Sequence, residues 1–314
     1  MKKKLVAGAV TLLSVVTLAA CANGTNKDIV TMKGDTITVS DFYNEIKTNQ
    51  GAQQVLFQMT INKVFEKEYG SKVSNKDVDK ELDKQKKQLG KQFDAYLAQQ
   101  GLTEETAKKQ IRSNMLLEYA VNQAAKKDIK ESDYKAAFES YTPEVTAQII
   151  KLDSEDKAKE VLEAAKAEGA DFAQIAKDNS TDTATKDKGG EVKFDSGTTD
   201  IPSQVKEAAF KLDENGISDV ITVSAGQNYS ASYYIVKLNK KTEKGSDWKK
   251  YEKRLKEIIV EGRKQDTNYI RSIIAKAMTN ANIKVKDDAF KSTFNQYLQN
   301  IGVQTSDSSS SSKK

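Results

Sequence analysis

The feature of this 314-residue chain that most constrains its fold is the placement of its two prolines, Pro143 and Pro202. Proline disfavours a helical conformation in the residue before it, so a helix is expected to end before Pro143 and a different kind of structure can begin after it. Before Pro143 the apolar residues recur at helical spacing, whereas residues 145–152 directly after it are rich in β-branched and apolar side chains. We therefore predict a domain boundary at Pro143.

Capping signals predict several helices before this boundary. Ser74 and Asp77 have the spacing of a capping box, and an apolar stripe at helical intervals follows over residues 78–97. Thr103 precedes two acidic residues and a second apolar repeat, and Ser132 begins a third, shorter helix. Stripes with this period usually face the core of a protein.

The segment before these helices is predicted to contain a hairpin and one further helix. Residues 35–39 alternate polar and apolar side chains, which favours a strand, and residues 29–32 are its predicted partner. Ser40 is then expected to cap a helix whose apolar stripe continues to Phe65. We predict that residues 21–142 form an N-terminal helical region.

Residues 143–241 are predicted to form one compact α/β module. Its elements follow one another in the order β-α-α-β-α-β-β, which describes a small sheet covered by helices. The predicted strands lie at 145–152, 191–194, 217–223 and 232–238, and the predicted helices at 155–167, around 172–176 and at 203–212.

A helical pattern returns after the module. Residues 247–281 read as one helix, about 50 Å long at 1.5 Å per residue, which is too long for a small separate domain. We expect it to pack against the N-terminal helices, so that residues 242–304 complete the helical part of the protein. The predicted fold class is therefore α+β: helical lobes built from the N- and C-terminal segments, with the β-α-α-β-α-β-β module inserted. The serine-rich segment 305–314 is predicted to be disordered.

The first 20 residues have the pattern of a secretory signal peptide. Basic residues at 2–4 precede the apolar stretch 5–20, which is shorter than the roughly 20 residues that a helix needs to cross a bilayer. Small residues lie directly before Cys21, and Leu-Ala-Ala-Cys resembles the bacterial lipobox. We predict that residues 1–20 are removed and that Cys21 carries two or three acyl chains, which give stable attachment to a membrane. The predicted location is the outer face of the cell membrane.

Composition excludes several classes of enzyme. The chain has no histidine and a single cysteine, so it lacks the commonest general base and metal ligand and cannot form an intrachain disulfide. Zinc hydrolases, Ser-His-Asp hydrolases and Cys-His proteases are excluded, and we expect neither a metal nor a cofactor. Loss of the three lysines of the signal leaves 47 of the 50 basic residues against 45 acidic ones. This balance predicts no binding to nucleic acid.

Several short motifs of the module carry a resemblance to a known family. They are Ala-Gln-Ile-Ile at 147–150, Gly-Ala-Asp-Phe-Ala-Gln-Ile-Ala-Lys at 169–177, Ser-Thr-Asp at 180–182, Gly-Gly-Glu at 189–191, Ala-Ala-Phe-Lys-Leu at 208–212 and Ile-Ser-Asp-Val at 217–220. In this order they resemble a parvulin domain. With the lipobox and the helical segment 96–103, the whole chain is similar to the PrsA foldase lipoproteins of Gram-positive bacteria.

The resemblance implies a membrane-anchored chaperone that helps exported polypeptides to fold. Its partners would be unfolded or nascent secreted proteins, its contact with the cell membrane would be the lipid anchor, and a homodimer through the helical lobes is a further expectation. The module would be a parvulin-type peptidyl-prolyl cis-trans isomerase. Such an enzyme lowers the barrier to rotation by seating the proline in an apolar pocket and favouring the twisted amide.

The resemblance also places a candidate active groove. The family's two histidines fall on Gln148 and Tyr234, and its nearby acidic residue or cysteine on Asp182 or Thr183. The Met and Phe that line the proline pocket fall on Ile201 and Val205, and Phe210 is a further aromatic candidate. Replacement of both histidines leads us to expect isomerase activity that is weak or absent.

Two functions of this fold remain open from the sequence, and one alternative comes from another class. The module either retains activity through its polar residues or has become a binding or spacing domain, with function in apolar grooves of the helical lobes. The Phe, Met and Tyr residues of 52–69 are candidates for such a groove. The alternative is a lipid-anchored solute-binding receptor, which would usually show repeated βαβ units in two lobes.

Overall fold

The computed structural model describes residues 27–225 and 230–298. The predicted signal peptide 1–20, the lipid-attachment candidate Cys21 and the predicted disordered segment 305–314 lie outside the described residues. The chain forms two compact units: one contains the described parts of Met1–Glu68 and Ile274–Lys314, and the other is Tyr69–Ile273.

The described part of the chain begins with a hairpin and two helices. Strands β1 (Asp28–Met32) and β2 (Asp35–Thr38) pair in antiparallel fashion, close to the prediction. They lead into helices α1 (Val39–Ile46) and α2 (Gln50–Tyr69).

The prediction of one helix capped by Ser40 is wrong in two respects. Thr38 caps α1, because it lies three residues before Asp41 and the two form a capping box. The helix ends at Ile46, and the side chain of Asn49 then accepts a hydrogen bond from the backbone N–H of Gly51 at the start of α2 (2.8 Å). Two local caps therefore divide what the apolar stripe suggested was continuous.

The next four helices are α3 (Asn75–Leu89), α4 (Phe93–Gln99), α5 (Glu104–Lys127) and α6 (Glu131–Ser140). Ser74 and Asp77 form the predicted capping box, and Thr103 caps α5 as predicted. The apolar stripe over 78–97 does not belong to one helix, however. Gly90, with φ of +51°, ends α3 because this backbone conformation cannot continue a right-handed helix.

The central module has the predicted order of elements. These are β3 (Val145–Leu152), α7 (Glu155–Lys166), α8 (Phe172–Asn179), β4 (Glu191–Phe194), α9 (Ser203–Lys211), β5 (Ile221–Ala225) and β6 (Ser230–Lys241). The four strands form one sheet in the order β4-β3-β6-β5, with every neighbouring pair antiparallel. Strand β5 begins later than predicted, and Ile217 makes only an isolated bridge to Lys237.

The sheet has an apolar core on each face. Helices α7 and α8 cover one face, where Ile150, Leu152 and Ile235 meet Phe172. Helix α9 covers the other, where Val145, Ala147, Ile149, Val236 and Leu238 pack against Val205 and Ala209. The alternation of side chains along β3 and β6 assigns each residue to one of these two faces.

The C-terminal segment contains helices α10 (Glu252–Gln265), α11 (Thr267–Asn280) and α12 (Lys291–Leu298). The prediction of a single helix over 247–281 is wrong, because the helix is interrupted at Asp266. The side chain of Asp266 accepts a hydrogen bond from the N–H of Asn268 (2.8 Å) at the start of α11. Helix α10 packs against α5 and α6, as expected for a C-terminal segment that completes a helical region. The exact domain boundaries remain predictions.

Aromatic contacts join the two ends of the chain within the first unit. The ring of Phe57 in α2 lies 4.3 Å from that of Tyr297 and 5.5 Å from that of Phe294, both in α12.

Within the described residues, no helix combines the length and hydropathy that a membrane span requires. The described strands form one hairpin and one antiparallel sheet rather than repeated βαβ units.

Candidate functional site

The α9 face of the sheet brings together four of the predicted site residues. Tyr234 on β6 and Ile201, Val205 and Phe210 on or beside α9 all belong to the same apolar cluster. Val205 is fully buried, whereas the other three are half-buried and retain exposed surface. Val205 is therefore the floor of this cluster, and Ile201, Phe210 and Tyr234 form its accessible part.

Tyr234 carries a hydroxyl at the edge of this apolar cluster. It lies between Lys151 on β3 and Ile221 on β5 in the register of the sheet. Burial raises the pKa of its hydroxyl, and the negative charges of Asp182 and Asp153 raise that pKa further. The hydroxyl is therefore protonated at neutral pH and can donate a hydrogen bond to a substrate carbonyl.

Gln148 lies on the opposite face of the sheet. The register pairs Gln148 with Lys237 and Tyr234 with Lys151, so the two residues are three positions apart along each strand. Because side chains alternate, an odd separation puts Gln148 and Tyr234 on different faces. The structure therefore does not bring together the two positions that align with the family's histidines.

Gln148 instead holds a loop. Its Nε2 donates to the carbonyl of Gly189 at 2.9 Å, and the N–H of the neighbouring Ile149 donates to the carbonyl of Gly190 at 2.8 Å. Both glycines have positive φ, and a Cβ on Gly190 would lie 2.4 Å from the carbonyl oxygen of Ile149. The Gly-Gly motif is thus required by the close approach of this loop to β3.

Asp182 organises the other end of the same loop. One carboxylate oxygen accepts from the hydroxyl of Thr185 at 2.6 Å, and the other accepts from the backbone N–H of Ala184 at 3.1 Å. The carboxylate has further lone pairs, and its charge reaches Tyr234. Asp182 therefore shapes the loop and adds a negative charge near the hydroxyl of Tyr234.

Sequence reasoning missed the most extensively bonded carboxylate in the module, Asp195. It follows β4 directly, is only 6% exposed, and accepts hydrogen bonds from Tyr141, Thr198 and Arg254. Burial would raise the pKa of Asp195, but the bonds from Arg254, Thr198 and Tyr141 outweigh it and hold that pKa below its ordinary value. The only signal in the sequence is the long loop after Phe194.

A second candidate surface is an apolar groove in the first unit. Its volume is about 760 Å³, and it is lined by α1, α2 and the segment between α11 and α12. Val55 and Met59 of α2 line it with 60% and 52% of their surface exposed. Among the residues that the structure describes, no cluster of His, Cys, Asp and Glu is arranged to hold a metal ion.

Comparison with known proteins identifies the family. Residues 142–240 match the model of the PPIC-type PPIASE (rotamase) domain. The chain is 62% identical over 302 residues to foldase protein PrsA of Streptococcus sanguinis, which covers 96% of this chain and 90% of that protein. It is 55% identical to foldase protein PrsA of Streptococcus pneumoniae over the whole of both chains. The chain belongs to the PrsA foldase family.

Solved structures of PrsA proteins agree with this assignment. The crystal structure of foldase protein PrsA from Streptococcus pneumoniae matches with a TM-score of 0.77 at 54% identity, over 86% of this chain and 99% of that chain. The PrsA structure from Lactococcus lactis matches with a TM-score of 0.64 at 39% identity, over 87% and 99% of the two chains.

Membership of the PrsA family confirms the α+β fold class and the foldase function predicted from the sequence. By family, the module is a peptidyl-prolyl cis-trans isomerase domain. The relatives are foldases, and the described strands lack repeated βαβ units, so neither finding supports a solute-binding receptor.

Proposed function

We propose that this foldase acts on unfolded secreted polypeptides at the outer face of the cell membrane, held there by acyl chains on Cys21. The lipobox-like sequence before Cys21 and the signal-like residues 1–20 support the location. The family name of the relatives supports the activity. Residues 21–142 and 242–304 would form the chaperone part around the module 143–241.

The single observation that carries the chaperone proposal is the exposed apolar groove of the first unit. An apolar groove lined by Val55 and Met59 offers surface to the apolar side chains that an unfolded polypeptide exposes. Of the predicted candidates in 52–69, Met59 lies in the groove, whereas Phe65 is buried in the core and Phe57 packs against α12. The proposal thus narrows the candidate surface to one side of α2.

For the module, we propose that a proline binds on the α9 face. Ile201 and Phe210 would contact the ring above the buried Val205, and Tyr234 would donate to the carbonyl that precedes the proline. The X-Pro rotation barrier is about 18–20 kcal/mol, and one donor without a paired imidazole removes only a small part of it. We therefore propose weak or absent isomerase activity, with Gln148 in a structural role and Asp182 acting on Tyr234 through its charge.

The test measures two activities of the same purified mature chain: suppression of aggregation of an unfolded protein, and isomerisation of a proline peptide. We expect suppression, strongly reduced by Val55→Ser with Met59→Ser, and at most a small acceleration of isomerisation. Substitution of two exposed lysines in the second unit, Lys87→Ser with Lys91→Ser, is the control and should leave suppression unchanged. Wild-type protein that does not suppress aggregation would exclude the chaperone proposal.

Two further parts of the proposal have their own tests. Lipid labelling should be lost on Cys21→Ala, and labelled Cys21→Ala protein would exclude this anchor. Sedimentation of the mature chain tests a homodimer through the helical lobes, which remains a prediction.

A further inference from the structure

One wall of the apolar groove is a segment that has the side-chain pattern of a strand without belonging to a sheet. Residues 283–286, between α11 and α12, form neither helix, strand nor turn. Ile283 and Val285 are half-buried and alternate with exposed Lys284 and Lys286. A period of two is the pattern of an extended chain with one face against an apolar surface.

Apart from the N–H of Ile283, the backbone of this segment has no hydrogen-bond partner within the described residues. The N–H groups of Lys284, Val285 and Lys286 donate to no described group, and the carbonyls of residues 283–286 accept from none. The N–H of Ile283 differs, since it donates to the carbonyl of Met278 at 3.2 Å. A segment with the side-chain pattern of a strand and such unpaired backbone groups can serve as a template for pairing with another strand.

The groove supplies a place for the side chains of such a strand. All of residues 283–286 line it, together with Val55 and Met59 of α2. Side chains directly opposite one another in paired strands lie on the same side. A strand paired with 283–286 would therefore place apolar side chains beside Ile283 and Val285 and the intervening side chains beside Lys284 and Lys286.

We propose that residues 283–286 are a docking strand for an extended segment of an unfolded polypeptide in which apolar and acidic side chains alternate. Main-chain hydrogen bonds supply affinity that does not depend on sequence, the groove binds the apolar side chains, and the two lysines select acidic ones. This inference rests on the proposed chaperone function and adds its binding mode. Proline has no N–H, so the docked segment lies beside a proline rather than over it.

The experiment uses the mature wild-type chain and fluorescent peptides with the repeat Ile-Glu, so no protein variant has to fold. Two isomers of the peptide carry methyl groups on the backbone nitrogens of alternate residues. Each isomer therefore blocks hydrogen bonding along one of the two edges of the peptide strand. We expect the isomer blocked on the pairing edge to bind at least tenfold more weakly, and the other isomer to bind within about threefold of the parent. Two isomers that both match the parent would overturn strand pairing.

The charge preference has its own arm. A peptide with the repeat Ile-Lys should bind at least tenfold more weakly than Ile-Glu, and Lys284→Glu with Lys286→Glu should reverse this order. The matched control is Lys87→Glu with Lys91→Glu in the second unit, which should preserve the wild-type order. An unchanged preference in the Lys284/Lys286 variant would overturn the selection of acidic segments.

The remaining outcomes separate this inference from the proposed function. If the wild-type chain suppresses aggregation but binds neither parent peptide, the docking strand is overturned while the chaperone proposal stands. If it does neither, both fail. A chain that ends at Leu298 tests whether the protein's own C-terminal segment pairs with residues 283–286. If truncation raises the affinity for the peptide more than tenfold, that segment occupies the site in the native chain, and the proposal of an external partner is overturned.

Discussion

Arg254 holds the carboxylate of Asp195 with two hydrogen bonds, from Nε to Oδ2 at 2.6 Å and from Nη2 to Oδ1 at 2.8 Å. Tyr141 adds a third bond to Oδ2 at 3.1 Å. This pair fixes the loop after β4 to helix α10. Arg254 lies outside the residues that match the PPIC-type domain, so a carboxylate buried inside the module depends on a partner beyond it.

Loss of Arg254 should strongly destabilise the second unit. Arg254→Met leaves the Asp195 carboxylate buried with fewer partners, which we expect to lower the free energy of unfolding by about 2–4 kcal/mol. The lower part of that range is favoured because the Arg254 side chain is 36% exposed to screening water. Urea unfolding followed through the fluorescence of Trp248, the single tryptophan, measures the change.

A double substitution tests whether the lost stability comes from the unpaired carboxylate of Asp195 or from the lost shape of the Arg254 side chain. Arg254→Met with Asp195→Asn removes the buried charge as well, so it should be less destabilised than Arg254→Met. If the double variant were the less stable of the two, the loss could not come from an unpaired carboxylate.

The same pair predicts a dependence of stability on acid. The pKa of Asp195 is lower in the folded protein than its ordinary value, so the unfolded chain binds more protons as the pH falls. Its contribution to stability is complete above about pH 5 and is lost as the pH falls through about 4 and below. Asp195→Asn should therefore show a shallower loss of Tm than wild type between pH 5 and 2.5. Parallel curves would contradict the prediction.

Gly190 should tolerate alanine far less well than Gly101. Both glycines have positive φ, so alanine at either position pays a similar conformational cost. A Cβ at Gly190 would also lie 2.4 Å from the backbone oxygen of Ile149, whereas nothing lies within 4 Å at Gly101. We expect Gly190→Ala to lower the free energy of unfolding by at least about 1–2 kcal/mol more than Gly101→Ala. Equal effects would show that the loop moves away from β3 at little cost.

Substitution of Tyr234 should affect isomerisation, whereas substitution of Gln148 should affect stability. Tyr234→Phe removes a donor from the groove and should lower kcat/KM for a proline peptide, with little change in Tm. Gln148→Ala removes the donor to the Gly189 carbonyl and should cost about 1 kcal/mol of stability. Isomerisation and thermal unfolding of both variants test this division of roles. If Gln148→Ala lowered kcat more than Tyr234→Phe and left Tm unchanged, Gln148 would have a role in isomerisation rather than in stability.

Local elements of this fold were predictable because their causes lie within a few residues. The capping box of Ser74 with Asp77 and that of Thr103 with Thr106 depend on neighbours in sequence, and Ser74 and Thr103 cap their helices as predicted. The long helices were predicted less well. Apolar periodicity continues across Gly90 and Asp266, although a positive φ and a local cap interrupt the backbone there.

The sequence by itself determined the family, the fold class, the order of elements in the module and the absence of an imidazole pair. Only the tertiary structure decided that Gln148 and Tyr234 lie on opposite faces, because this depends on how two strands are registered. It also decided that Arg254 meets Asp195, 59 positions away, and that Met59 is exposed while Phe65 is buried. Periodicity reports which side of a helix is apolar, but packing of distant segments decides which part of that side stays uncovered.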